Sequence, residues 1–242
     1  MAVLAALVQV LAWWGPRRWA VPGLGRLASA VSDLITAPHF TSAVLDTLES
    51  VLVSVALGFA GAVVIGIAFG SSRLAYRTFG LPFELLRTVP AVAFIPLMIL
   101  ALGQGLSMEI TVAAIGSWWP MLFNCSYGVS QVDSQARDAA RVLGCGRFAL
   151  LRRVVLPAML PFVLAGLRTS APIALIIVVA TEYLASGGRG LGGVLIQATS
   201  TGDLDVLWAT AVLTGVLGIL IGALVALVCR LVCPWATARE AR

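Results

Sequence analysis

Long apolar runs separated by short polar stretches set the pattern of this chain. A helix needs about 20 apolar residues to cross a bilayer. On that measure Val44–Gly70, Leu81–Leu102, Met108–Val129, Pro157–Tyr183 and Val206–Val232 each read as a span. Met1–Trp14 is a shorter uncharged run, with Trp13, Trp14 and Trp19 suited to an interface. It is read as a first transmembrane helix; the alternative is an interfacial helix beside a five-span core. Pro90 and Pro96 are expected to kink the third span. Gly15–Phe40, with Pro16, Pro22 and Pro38, reads as an external loop carrying at most a short surface helix. Ser71–Gly80 reads as an inner loop, Gly103-Gln104-Gly105 as a tight outer turn, and Leu184–Asp205 as an outer segment. The period-two alternation of a membrane barrel is missing, so the expected class is all-α integral membrane with about six transmembrane helices.

Two spans carry small residues every fourth position: Gly58, Ala62, Gly66 and Gly70 in the second, Gly218, Gly222 and Ala226 in the sixth. Such stripes let helix backbones approach closely in lipid.

Composition agrees with the pattern. The chain is 60% hydrophobic and 11% charged, whereas a soluble domain carries about 25% charged residues. The net charge of +5 comes wholly from arginine, since there is no lysine. With both termini placed inside, the inner loops and tail hold Arg73, Arg77, Arg137, Arg141, Arg147, Arg152, Arg153, Arg230, Arg239 and Arg242. The outer side holds Arg17, Arg18, Arg26 and Arg189, and Arg87 and Arg168 lie within helices. This bias orients the chain in a membrane and argues against nucleic-acid binding. The four cysteines, Cys125, Cys145, Cys229 and Cys233, suggest neither a disulfide framework nor a zinc site.

The one long polar interruption in the second half is Ser134–Leu156. Ala136, Ala139, Ala140 and Leu143 recur at helical spacing and form a small-residue face. Gly144 and Gly146 then permit a bend, and Pro157 stands where a new helix can begin. Read without any analogy, this is a short helix, a turn and the lead-in to a span at the inner surface.

The same residues resemble the EAA loop of ABC-importer permeases, which runs Glu-Ala-Ala, three residues, Gly, nine residues, Ile, one residue, Leu-Pro. Here Asp138-Ala139-Ala140, Gly144, Val154 and Leu156-Pro157 stand at that spacing, with Asp for Glu and Val for Ile. Outside the loop, Arg87-Thr88-Val89-Pro90, Ala93, Pro96 and Gly103-Gln104-Gly105 resemble the nitrate/sulfonate/taurine branch of these permeases. Pro120, Asn124, Gly128, Val132-Asp133, Pro157, Pro161, Gly166, Arg168 and Glu182 extend the likeness across roughly Val44–Val232. The resemblance implies a type I ABC-importer (MetI-like) permease fold in a bacterial inner membrane. It divides the chain into an N-terminal helix and loop at 1–40, a permease core at 41–233 with its coupling loop at 134–156, and a cytoplasmic tail at 234–242. It further implies a homodimer of permeases, two cytoplasmic ATPase subunits docked on the loops, and a periplasmic or lipid-anchored solute-binding protein. ATP and magnesium would sit on the ATPase, with no cofactor, metal or catalytic residue on this chain. Asp138, Ala139, Ala140, Gly144, Val154, Leu156 and Pro157 would then be the coupling residues, and the cargo a small anion of the sulfonate, taurine or nitrate kind.

Ionisable groups inside membranes usually face a cavity or a partner. Arg87, Arg168, Glu84, Glu109 and Glu182 form this set, with Asn124 as a further polar group. Arg87, Asn124, Arg168 and Glu182 are the candidates for the translocation pathway. Against this, Arg87 and Arg168 at the inner ends of spans three and five have a plain alternative in snorkelling, and Asn124 in helix packing. Glu182 either gates the outer mouth or pairs with Arg189. Gly187–Gly193 lacks the Gly-Lys-Ser/Thr ending of a phosphate-binding loop. A secondary transporter or channel is the competing function, and against it stands the lack of an inverted repeat. An intramembrane enzyme would need paired catalytic groups or a metal cluster, and neither is found.

Overall fold

The structure is a computed structural model and describes residues 22–185 and 188–234. The expected first helix, Met1–Trp14, lies outside the described residues, as does nearly all of the tail. The described part is helical, with no strand among its elements. In chain order it comprises α1 (Leu24–Thr36), α2 (Pro38–Ser71), α3 (Arg73–Leu86), a 3-10 turn (Ala91–Phe94), α4 (Ile95–Leu102), α5 (Leu106–Ser130), α6 (Ser134–Val142) and α7 (Arg147–Leu150). A π turn (Leu151–Val155) leads into α8 (Leu156–Ala185), followed by α9 (Gly190–Thr201) and α10 (Leu204–Val232).

Three described helices are long and apolar enough to cross a membrane: Pro38–Ser71, Arg147–Ala185 and Leu204–Val232. A bent pair, Leu74–Leu86 with Ala91–Leu102, makes a fourth if taken as one span. The span expected at Met108–Val129 is α5, 25 residues long, whose Glu109, Ser117, Asn124 and Ser126 dilute its hydropathy. α5 is the central strut, packed between α2 and α8.

The small-residue stripe on α2 works as the sequence suggests. Ala62 is fully buried, and a Cβ on Gly66 or Gly70 would fall 2.5 Å from the Cβ of Cys125 or Val129 on α5. The similar stripe on α10 is used only in part: a Cβ on Gly218 would lie 3.3 Å from the Leu175 side chain of α8, one on Gly222 would meet nothing within 4 Å, and α10 packs peripherally on α1, α8 and α9. Two apolar clusters fill the bundle. The outer one joins Val51, Met108, Val112, Leu175 and Val178. The inner one joins Ala62, Met121, Leu122, Cys125, Val129, Met159 and Val163.

The short surface helix allowed for within Gly15–Phe40 is α1, Leu24–Thr36, which buries none of its residues, and Pro38 in its first turn starts α2. Three expectations need correction. Ser71–Gly80 is not an inner loop but mostly the first part of α3, capped by the Ser72 side chain, which accepts from the Ala75 N–H. The third span is broken rather than kinked, its halves meeting at 82°. Pro90 has no N–H to offer and pushes Val89 out of helical geometry, so the chain turns before restarting. Arg87 stands at this break as the C-cap of α3. Finally, Pro157 does not open a new helix. Arg147–Ala185 runs as one 39-residue helix, and the π turn just before Pro157, where the Leu156 N–H reaches the Leu151 carbonyl, absorbs the disruption.

Candidate functional site

The polar segment at the inner end is a built knob. The Asp133 carboxylate caps α6 by accepting from the Gln135 N–H at 2.9 Å. α6 ends with the Cys145 N–H bonded to the Ala140 carbonyl and the Gly144 N–H to that of Arg141, both at 3.0 Å. This pair of bonds is a Schellman motif, which requires a left-handed residue after the cap. Gly144 supplies it with φ +77°. The Arg137 guanidinium donates to the Val129 carbonyl at the end of α5 and so ties the knob to the strut.

The expected coupling residues take distinct places. Asp138 is exposed and pairs with Arg141 at 3.0 Å. Ala139 is exposed, whereas Ala140 is buried within its own chain; Ala140 is not part of a surface that a partner meets. Val154 packs against the inner cluster, and Leu156 and Pro157 are exposed on the following helix. The outward surface instead presents Val142, Leu143 and Phe148, which are 87%, 82% and 76% exposed. Val142 stands outside the small-residue periodicity of the sequence, which is why the pattern did not single it out.

At the other end of the bundle, Glu182 is buried and clamps three elements. Its carboxylate accepts from the Thr47 hydroxyl of α2 at 2.8 and 3.0 Å and from the Gly192 N–H of α9 at 2.9 Å. Thr47 in turn accepts from the Leu191 N–H at 2.9 Å. The N-terminus of α9 is thus a helix-end anion site filled by the chain's own carboxylate. The glycines make room for it: a Cβ on Gly190 would sit 2.0 Å from a Glu182 carboxylate oxygen, and one on Gly192 2.4 Å from the Glu182 Cβ. Of the two readings of Glu182, pairing with Arg189 gives way to a different arrangement. Arg189 pairs with Asp46 at 2.9 Å and Glu49 at 3.8 Å, and the Asp46 hydrogen bond holds its guanidinium above the usual arginine pKa. Glu109, at the start of α5, is also buried and accepts from the Ser50 hydroxyl at 3.2 Å.

Between these ends, a cavity of about 550 Å³ opens at the break after α3, and both Arg87 and Asn124 line it. The Arg87 guanidinium lies 5.0 Å over the Phe123 ring. Asn124 donates to the Pro120 carbonyl at 2.8 Å, a bond within its own helix. Arg168 is exposed on α8 and does not line this cavity. The structure therefore brings together two of the four pathway candidates and separates the other two. Among the described residues no group of three or more potential metal ligands occurs.

Comparison with known proteins follows the same lines. Residues 58–236 match the sequence profile of the binding-protein-dependent transport system inner membrane component family. The nitrate import permease protein of Synechocystis sp. is 31% identical over 187 residues, 76% of this chain and 68% of that protein. The bicarbonate transport system permease protein of Synechococcus elongatus is 31% identical over 179 residues, 72% of this chain; the chain spans 64% of that relative's length. In fold, an inward-facing form of the MetNI methionine ABC transporter superposes with a TM-score of 0.70 at 21% identity, over 79% of this chain and 95% of that one. The chain belongs to the family of binding-protein-dependent transport system inner membrane components, the membrane-spanning permease subunits of ABC importers.

Proposed function

We propose that this permease carries a small anion inward and is driven through residues 134–156 by a separate ATPase. The observation that carries the reading is the knob: a Schellman-terminated helix tied to α5 by Arg137, presenting Val142, Leu143 and Phe148 to the surroundings. Apolar side chains held rigidly in water are stabilised by covering them, by about 1.5–3 kcal/mol for each one fully buried. In this reading the cover is a groove on the ATPase, and Asp138 and Arg141 form its polar rim. ATP and magnesium belong to that partner. Two copies of the permease, two ATPase subunits and a solute-binding protein complete the assembly. The anion class follows from relatives whose names specify nitrate and bicarbonate import.

The test is co-expression with the candidate ATPase, measuring co-purification and ATP hydrolysis for wild type and for Leu143→Asp. Wild type is expected to co-purify, and Leu143→Asp to lose the ATPase while its own spans stay assembled. A permease that transports in vesicles without ATP would replace this reading with that of a secondary carrier.

A further inference from the structure

One face of α5 lines two cavities in succession. Gly116, Trp119, Phe123 and Asn124 border the 550 Å³ cavity beside Arg87. Phe123, Ser126, Tyr127 and Ser130 border a second, of about 570 Å³, beside Arg77. These positions advance by three or four residues and so share one side of the helix. The buried positions between them, Met121, Leu122, Cys125 and Val129, face the apolar core instead. From Gly116 to Ser130 the face runs about 21 Å, most of the roughly 30 Å hydrocarbon thickness. Its lower end leads into the arginine-rich segment that charge places inside.

Three further features fall on this line. The chain is broken at 82° where Arg87 stands, and irregular backbone at membrane depth is tolerated where it borders a cavity. Arg87 and Arg77 form no ion pair with any described residue. Phe123 belongs to both cavities, and Arg87 lies over its ring, which leaves the in-plane N–H groups free to donate.

We propose that this face of α5 is the wall of the anion path, with Arg87 at an upper site, Arg77 at a lower one, and the Phe123 ring as the step between them. The second amide hydrogen of Asn124 adds a donor at the upper site, where the Thr88 hydroxyl is already given to the Leu85 carbonyl; Ser126 and Tyr127 add donors below. A small oxyanion fits this chemistry: it needs in-plane guanidinium donors and a few hydroxyls, and it leaves a site that holds no second cation. The inference rests on the import reading above and assigns its route.

The experiment uses the permease–ATPase complex with its four cysteines replaced by alanine and a single cysteine placed at Thr88 or Tyr127. Reaction rates with anionic sulfonatoethyl and cationic trimethylammonium-ethyl methanethiosulfonates are each normalised to a free thiol. The anionic reagent is expected to be favoured about tenfold at each site, the size of effect a charged cleft produces. Arg87→Gln should abolish the preference at Thr88→Cys, Arg77→Gln should abolish it at Tyr127→Cys, and Arg87→Lys should retain it. Nitrate and bicarbonate uptake by vesicles holding the complex should fall about tenfold in Arg87→Gln while ATPase association persists. Equal normalised rates, no labelling by either reagent, or a preference indifferent to Arg87→Gln, as a snorkelling side chain would give, overturns the path. Failure to bind the ATPase would instead overturn the import reading, and the thiol ratios would still decide the path.

Discussion

Replacing Thr47 with valine removes one oxygen at almost constant volume, and the structure says which bonds go with it. The hydroxyl donates to Glu182 at 2.8 and 3.0 Å and accepts from the Leu191 N–H at 2.9 Å. Thr47 is fully buried and Glu182 is 1% exposed, so water does not substitute. A hydrogen bond to a carboxylate contributes about 1.5–3 kcal/mol, and stranding the Leu191 N–H costs about 1–3 kcal/mol. Together about 2.5–6 kcal/mol of docking is lost between α9 and the α2–α8 pair. Each factor of ten corresponds to about 1.4 kcal/mol, so exchange of the Leu191 and Gly192 amides should accelerate by about two to four orders of magnitude if they exchange by local undocking. The assay is amide hydrogen exchange in detergent micelles or nanodiscs, with core amides of α5 as an unaffected reference. Glu182→Gln should act on the same bonds, and the double variant should cost about 1–2 kcal/mol less than the sum of the single ones. Leu191 and Gly192 amides that exchange at the wild-type rate in Thr47→Val would refute the clamp.

Two further outcomes follow from the glycines. At Gly144 a Cβ would meet nothing within 4 Å, yet φ is +77°. The penalty is therefore conformational, about 1–2 kcal/mol for a residue with a Cβ, and ATPase association should fall in the order Gly, Asn, Ala, Val; an Ala variant that binds as wild type would remove the Schellman turn from the coupling argument. On α2, Gly66→Ala forces a contact of 2.5 Å with the Cys125 Cβ, so thermal stability in detergent should drop by about 1–3 kcal/mol, while Gly222→Ala on α10, which meets nothing within 4 Å, should be neutral in the isolated subunit.

The sequence was readable where structure depends on local periodicity. The span read as Met108–Val129 is the helix Leu106–Ser130, and Val206–Val232 lies within Leu204–Val232. The α2 stripe was readable too, because spacing alone shows which face it occupies. Its partner was not: Gly222 on α10 has the same spacing and no neighbour. The break at Pro90 was legible as a disturbance but not as an 82° turn, because the chain's direction after a proline is set by what it packs against. The Glu182 clamp was illegible for a plainer reason. Its partners lie 135 residues away at Thr47 and on the far side of the glycine run. That run lacks the Gly-Lys-Ser/Thr ending of a phosphate loop. The structure uses the same physics, a glycine-flanked helix N-terminus receiving an anion, but the anion is internal. Thr47, Ser50 and Ser54 on α2 did carry a signal, since three hydroxyls at helical spacing in an apolar run mark a face that meets polar partners.

The knob, the path wall and the outer core share one element, and this bears on how force could travel. Val129 lies in the last turn of α5, where backbone carbonyls have no partner within the helix. The Val132 N–H bonds that carbonyl at 3.4 Å and Arg137 reaches back from α6 to bond it as well, which fixes the knob to the strut. Above this point the face bearing Phe123 and Tyr127 lines the cavities, and the opposite face, with Leu122 and Cys125, is locked against α2 by glycine contacts too tight for a Cβ. In the proposed coupling, a displacement at Leu143 therefore moves α5 and α2 as one body. The wall at Phe123 shifts with them, past Arg87 at the helix break. A tight α2–α5 seam next to a change of chain direction at Pro90 is what such a device needs: one pair that moves together, and one place where the helix is not continuous.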